Sequence, residues 1–212
     1  METEAKFVVP DEAAFSRLRQ LAAIGPYTVR DTRTKRAHDR YLDTEDRSFF
    51  NRNLYVRLRQ LSGGVLLLTV KGLGLGVREG SIHTRDEYET QVAGLDVATW
   101  PQGDVRRIVE ESALGKPLHD LYSLDQTRTV SNLYQGDRAA AELSVDEVAF
   151  DTPTGPVRAY ELELELLPDG QLSDLRELSH LLTEEYPLLP QPLSKFERAM
   201  LLNMERRGDG DE

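Results

Sequence analysis

One stretch restricts the possible folds more than any other: YELELELL, residues 160–167. Glu161, Glu163 and Glu165 alternate with Leu162, Leu164 and Leu166. A period of two places successive side chains on opposite faces of a strand. The segment is therefore a strand with one leucine face and one carboxylate face. Like charges that close together are unfavourable unless something compensates them. The pattern recurs along the chain. In METEAKF, Glu2, Glu4 and Lys6 share a face. In LYVRLRQL, Tyr55, Arg57 and Arg59 lie opposite Leu54, Val56 and Leu58. Lys71 lies with Thr69 in VLLLTVKG, and Arg85, Glu87 and Glu89 align in RDEYETQV. In AELSVDEVAF, Glu142, Ser144 and Asp146 lie opposite Leu143 and Val145.

Two arrangements satisfy this alternation. Either the charged faces meet solvent, or the sheet closes with its charged faces inward and its leucine and valine faces against helices outside. The sorting of charge by strand favours the second. Water and salt tolerate rows of like charge on an open surface. An enclosed space needs a cation against its acidic strands and an anion against its basic ones. A metal bound to a polyphosphate supplies both. Closure also removes exposed strand edges.

The rest of the chain fits a strand-dominated domain. Residues 1–9 read as a strand. DEAAFSRLRQLAAI follows as an amphipathic helix with Phe15, Leu18, Leu21 and Ala22 on one face, stopped by Gly25 and Pro26. Residues 27–43 are extended and end in YLDT, and EDRSFFNRN is a short turn or helix. LYVRLRQL-SGG-VLLLTVKG is the clearest hairpin. The glycine-rich GLGLGVREGS is a loop, without the strand–loop–lysine–helix order of a phosphate-binding loop. Residues 96–120 read as helical. Three strands follow, SLDQTRTVSNLY, RAAAELSVDEVAF and PVRAYELELELL, then the helix SDLRELSHLLTEEY and a last helix beginning SKFERA. The tail GDGDE, 208–212, reads as disordered. No regular strand–helix alternation suggests a parallel sheet. The expected architecture is mainly antiparallel β (α+β), one domain over 1–207, with helices packed outside.

Composition narrows the chemistry. The 212 residues contain no cysteine and four histidines without ligand spacing, which excludes thiolate metal sites. The 37 carboxylates point to hard cations if a metal is held. A net charge of −11 argues against non-specific nucleic-acid binding. No basic leader with an apolar run and no apolar run long enough to cross a membrane is present, so the expected setting is cytoplasmic, with no membrane partner.

ExExK (Glu2, Glu4, Lys6), YLDT, VRLR, TVKG, ELELE and SKFERA, in this order over nearly the whole chain, resemble the CYTH domain, the triphosphate tunnel metalloenzyme superfamily. The resemblance implies an eight-stranded closed antiparallel β-barrel forming a tunnel, and activity on triphosphates with a divalent metal, Mg²⁺ or Mn²⁺. By motif position it implies metal ligation by Glu2 and Glu4, with Glu161, Glu163 and Glu165 opposite, and a second metal near Glu142 and Asp146. It implies phosphate contacts from Lys6, Arg57, Arg59, Lys71 and Arg128, with Arg85 and Lys195 as further candidates. Lys6, Arg57 and Arg59 carry the catalytic assignment.

Bacterial inorganic triphosphatases are the nearest type within this resemblance. The alternatives are a class IV type adenylate cyclase, a thiamine or nucleoside triphosphatase, and a non-enzymatic polyphosphate-binding module. The resemblance implies a small-molecule triphosphate as substrate. Separating the signs by strand is expected to keep acidic and basic rows apart until substrate joins them. Asp43 reads as a turn or cap residue. Glu87 and Glu89 read equally as solvated or functional. His38, His83, His119 and His180 read as ordinary, and Trp100 and the apolar face of residues 172–186 as packing.

Overall fold

The computed structural model describes residues 2–73, 77–79 and 81–204. The glycine-rich stretch 74–76 and the tail 208–212 lie outside them. In chain order the elements are β1 (Glu2–Val9), α1 (Glu12–Leu18), β2 (Ala23–Ile24), β3 (Tyr27–Asp43), β4 (Leu54–Leu61), β5 (Leu66–Gly72), β6 (Val77–Glu79), β7 (Ile82–Arg85), β8 (Glu87–Val92), α2 (Asp104–Ala113), β9 (His119–Gln135), β10 (Arg138–Phe150), β11 (Val157–Leu166), α3 (Leu172–Glu184), β12 (Leu189–Pro190) and α4 (Lys195–Met204). Every pairing among these strands is antiparallel.

The strands form one sheet in the order β6-β7-β1-β11-β10-β9-β3-β4-β5-β8, with β2 on β3 and β12 on β1. This corrects the eight-stranded closed barrel in two respects. The described residues contribute a 12-stranded sheet, and its hydrogen-bonded path has two ends. The physical reason lies at Asp86. RDEYETQV is not one strand: Arg85 ends β7, which pairs with β1, and Glu87 begins β8, which pairs with β5. The chain leaves the ladder at Asp86 between them, so no backbone ladder joins the two edges. Asp86 joins β7 to the edge strand β8 covalently, and side chains of the strands next to this gap also meet, Lys71 Nζ of β5 reaching Glu2 Oε2 of β1 at 2.9 Å.

The leucine and valine faces pack outward against helices, as the alternation requires. Ala5, Phe7, Leu143, Val145, Leu162 and Leu164 join Phe15 and Leu18 of α1 and Leu175, Leu178 and Leu182 of α3. Val56, Leu58, Leu68 and Val70 pack with Val105 and Val109 of α2, and Trp100 belongs to this second cluster. No helix among the described residues is long and apolar enough to cross a membrane.

Two helices are shorter than their patterns suggest. The first ends at Leu18, because Ala23 and Ile24 pair instead with Thr28 and Tyr27 in a tight hairpin through Gly25, at φ +50°. Within residues 96–120 the α-helix is confined to Asp104–Ala113, and β9 already begins at His119. Asp43 does act as a cap: its carboxylate accepts hydrogen bonds from the backbone N–H of Thr44, Phe49 and Phe50 at 2.7, 3.0 and 3.0 Å. The turn from β11 into α3 needs Gly170, since a Cβ there would lie 2.0 Å from the Ala140 carbonyl oxygen.

Asp174 fastens α3 to the sheet. It accepts from Arg138 at 2.6 and 2.8 Å, from the Tyr27 hydroxyl at 3.0 Å and from the Gln171 N–H at 2.7 Å. The Arg138 hydrogen bond, working against burial, holds its pKa at about 2. A depressed carboxylate pKa stabilises the fold above the unfolded value and loses that contribution as pH falls towards the folded one. Asp174→Asn should therefore lower unfolding free energy near neutral pH by roughly 1–2 kcal/mol. Paired urea melts should show the gap to the parent protein narrowing between about pH 4 and pH 2.

Candidate active site

The inward faces of the strands enclose a cavity of about 440 Å³. Its wall contains Glu2, Glu4, Lys6, Arg57, Arg59, Lys71, Arg85, Arg128, Glu142, Glu163, Glu165 and Lys195. These come from β1, β4, β5, β7, β9, β10 and β11, and from the start of α4. Of the residues assigned by motif position, Asp146 and Glu161 do not line it. They lie beneath the wall at 0% and 1% exposure. Glu87 and Glu89 both line the cavity, Glu87 half-buried and Glu89 exposed.

The separation of signs expected from the sequence does not hold. Register brings acidic and basic rows into direct contact. Lys71 Nζ pairs with Glu2 at 2.9 Å and Glu87 at 2.6 Å. Arg85 donates to Glu4, and Arg57 lies 3.9 and 3.8 Å from Glu87 and Glu89. Arg128 grips Asp146 through two bonds of 2.8 and 2.6 Å and also donates to Glu163. The reason is energetic. Isolated charges cannot stay ionised in a partly dehydrated cavity, so cross-strand pairing compensates them before any ligand arrives.

Lys195 lies at the centre of the tightest cluster. Its Nζ is 3.0 Å from Asp146 and 2.7 Å from Glu163, and it also pairs with Glu161. Burial opposes the charged amine, but Glu161, Glu163 and Asp146 outweigh it and raise its pKa. Arg198, one helical turn later, reaches Glu161 at 3.0 Å. The adjacent Phe196 fixes the helix start: its ring stacks on Tyr55 at 5.1 Å and meets Tyr41 edge-on at 5.3 Å. SKFERA thus supplies an aromatic anchor and two cations in one helical turn.

Asp146, Glu161 and Glu163 place one ligand atom each within 4.8 Å of one another, a spacing suited to a metal ion. Here the Lys195 ammonium fills that role. A second carboxylate group is less compensated. Partial burial, then the charges of Glu2 and Glu142, push the Glu165 carboxyl up to about 7. Such crowding of hard oxygen donors fits a divalent cation of the Mg²⁺ or Mn²⁺ type, which would relieve the repulsion.

Lys6 is 3% exposed, with Glu4 at 3.7 Å. Burial lowers its pKa, partly offset by Glu4. Asp39, absent from the sequence assignments, is fully buried and binds Arg59 through two bonds of 2.7 and 2.6 Å. Burial alone would raise its pKa, yet Arg59 and Arg57 lower it. Lys35 and Gln126 also line the cavity and were equally missed. Period-two alternation was present in TKRAHDRYLD, but Arg36, His38 and Arg40 charge the outer face too. Without an apolar outer face there was no contrast to mark the inner one.

The chain belongs to the CYTH domain family, whose model matches residues 1–200. Solved structures share the fold. A proposed adenylyl cyclase from Hippeastrum, described as having a dominant triphosphatase activity, superposes with a TM-score of 0.73 at 18% identity, covering 96% of this chain and 97% of that one. A proposed adenylate cyclase from Bacillus halodurans gives 0.63 at 17% identity, covering 93% and 96%. The RNA triphosphatase domain of a mimivirus mRNA capping enzyme gives 0.51 at 15% identity, covering 85% and 87%. No protein of curated function matches the chain at a comparable level.

Lys195→Met should leave Asp146 and Glu161 charged and buried with one cation fewer. Uncompensated buried charge costs about 3–5 kcal/mol. Chemical denaturation at neutral pH should show a loss of that size. A melt indistinguishable from the parent would show that Arg128 and Arg198 suffice for the cluster.

Proposed function

We propose that this chain is a divalent-metal-dependent phosphoanhydride hydrolase, with inorganic triphosphate as its best substrate, cleaved to diphosphate and orthophosphate. The observation carrying this reading is a single cavity wall that combines Lys6, Arg57, Arg59, Lys71, Arg85 and Arg128 with Glu2, Glu4, Glu142, Glu163 and Glu165. The cations surround a short polyanion from several strands. Arginine guanidinium groups match phosphate oxygens bidentately. The triphosphatase activities described for the Hippeastrum and mimivirus proteins support the same reading.

Glu2, Glu4, Glu163 and Glu165 are the residues we assign to the metal, with Glu142 beside them. Asp146 and Glu161 act in this reading through Lys195, as its buried anchors. When bound, a divalent ion neutralises phosphate oxygens and favours attack by water on the terminal phosphorus. Water oxygen bonds to that phosphorus and gives up a proton to solvent, the bridging P–O bond breaks, and diphosphate leaves with the bond's electrons. Arg57, Arg59 and Lys6 stabilise the charge that develops on the phosphoryl and leaving oxygens. Lys71 and Arg85 orient Glu2 and Glu4 and exchange part of that pairing for substrate. The protein acts as one domain over residues 1–207, in the cytoplasm.

A triphosphate ester is the second reading, because Ala37, Leu61 and Leu67 give the otherwise charged wall an apolar edge. An organic group attached to the phosphates would rest there. A panel of inorganic triphosphate, ATP and thiamine triphosphate, each with Mg²⁺ or Mn²⁺ and with products identified, separates the readings. We expect inorganic triphosphate to be cleaved fastest and ATP to give little cyclic AMP. Cyclic AMP plus diphosphate as the main products would establish a cyclase, and tight binding without metal-dependent cleavage a binding module.

Two substitutions test the residue roles. Glu4→Gln keeps shape but removes an anionic ligand. It should reduce kcat/KM at least tenfold, about 1.4 kcal/mol of barrier, with partial recovery at higher metal concentration. Arg57→Ala should reduce turnover by about a hundredfold while changing the melting temperature little, since its ion pairs are long, 3.8–4.0 Å. Severe destabilisation with modest kinetic change would mark Arg57 as structural.

A further inference from the structure

β3 outruns its partners on one of its two sides. On one side β9 pairs with it from Thr28 to Asp43. On the other, β2 takes only Tyr27 and Thr28, and β4 takes Ala37–Leu42 before turning back into β5. Residues 30–35 therefore have no neighbouring strand on that side, and they are exposed. The Ser62 N–H donates to the Arg36 carbonyl at 3.2 Å, so Arg36 turns its backbone groups towards the β4 side. That direction repeats every second residue along a strand. The ladder to β9 is regular from Arg33 to Tyr41, and Thr34 therefore turns its N–H and C=O to the same side as Arg36. No described residue pairs with the Thr34 backbone there. Between the end of β2 and the end of β4 the sheet has a slot for one more strand.

The side chains along the slot are basic. Arg30, Arg33, Lys35 and Arg36 stand against one carboxylate, Asp31. Arg33 is compensated by Glu142 at 3.2 Å, and Asp31 is held by Asn132 and Tyr134 at 3.2 and 3.1 Å. The side chains of Lys35 and Arg36 form no ion pair or hydrogen bond among the described residues. An open strand edge invites other chains to pair, and cationic side chains and bulges oppose this. β3 has both, since its ladder bulges between Arg30 and Arg33, with Asp31 at φ +58°. The cations repel a second copy, because pairing two β3 edges would set cation against cation. They do not repel an acidic strand. Its carboxylates would compensate Lys35 and Arg36 while its backbone supplied the partners that Thr34 lacks.

We propose that the open edge of β3, from Arg30 to Arg36, is a docking site for an extended acidic peptide of a partner protein, which adds to the sheet as a further strand. This surface lies beyond the proposed reaction and does not depend on it. The guest strand would run in line with β4, beside the mouth of the cavity that Lys35 lines. Alternate side chains of the guest would face Lys35 on one side of the sheet and Arg36 on the other.

The test uses the full-length protein and a fluorescently labelled, capped peptide, acetyl-EVETE-amide. Binding is followed by anisotropy and amide hydrogen exchange by NMR. Saturation with peptide should slow exchange at the Thr34 amide about tenfold or more, while the amides of Arg33 and Lys35, which face β9, change little. Thr34→Pro removes the N–H at a position where an edge strand tolerates proline. Arg36→Glu reverses the charge of an exposed side chain. Each should weaken peptide binding about tenfold, and Arg36→Lys should retain most of the affinity. The same peptide N-methylated at alternate residues keeps its charge but cannot pair, and it should bind about tenfold more weakly. The proposal is overturned if the peptide does not bind saturably, if Thr34 exchange is unchanged at saturation, or if both Thr34→Pro and Arg36→Glu bind as the parent does. Equal binding of the N-methylated peptide would reduce the surface to charge attraction alone and overturn it too. So would tighter binding of single-stranded oligodeoxythymidylate than of the peptide, which would make the edge a nucleic-acid surface.

Discussion

Opposite charges paired across neighbouring strands, on the inner face of a curled sheet, are the interaction on which the rest of this structure depends. The outer faces are ordinary: leucine, valine and phenylalanine pack under α1, α2 and α3 and exclude water. That burial drives the sheet to curl, and curling turns the charged faces towards each other. Charge removed from water must be paired or neutralised. Every strand pairing on the inner face is therefore also an electrostatic choice. Lys71 of β5 pairs with Glu2 of β1 across the gap that the backbone ladder leaves beside Asp86.

The same constraint explains why α4 is tied so closely to the sheet. Asp146 and Glu161 are fully buried, and Lys195 and Arg198 bring compensating charge to them from outside the sheet. Phe196, held among Tyr41, Tyr55 and Tyr122, sets the depth at which Lys195 enters. An aromatic contact thus determines an ionic one. Burial works against the charge of Glu163, yet Arg128 and Lys195 hold its pKa well below the usual carboxylate range, so it remains an anion at the cavity wall.

A polyanion entering such a cavity meets cations already oriented by carboxylates. Preorganised dipoles and charges need little rearrangement when negative charge develops. The cost is that some of those cations must exchange a protein partner for a substrate oxygen. The family match over residues 1–200 and the fold shared with the Hippeastrum protein agree with a scaffold of this kind.

Alternation alone determined which side chains share a face, and so which faces are apolar and which are charged. ELELEL, VRLR and ExExK specified rows of charge, because a strand has a fixed period of two and no tertiary contact can change it. The cap at Asp43 was legible because an aspartate before a turn can accept the backbone N–H groups that follow it. Which rows meet was not legible, because register between distant strands depends on the whole curled sheet. The sequence suggested that the signs stay apart; the structure pairs Glu2 with Lys71 across 69 positions and Asp146 with Lys195 across 49. Asp39, Lys35 and Gln126 were hidden because their strands carry polar residues on both faces, which erases the contrast that periodicity detects. The break at Asp86 was hidden as well, since RDEYETQV reads as one strand and only the different partners of Arg85 and Glu87, on β1 and β5, divide it.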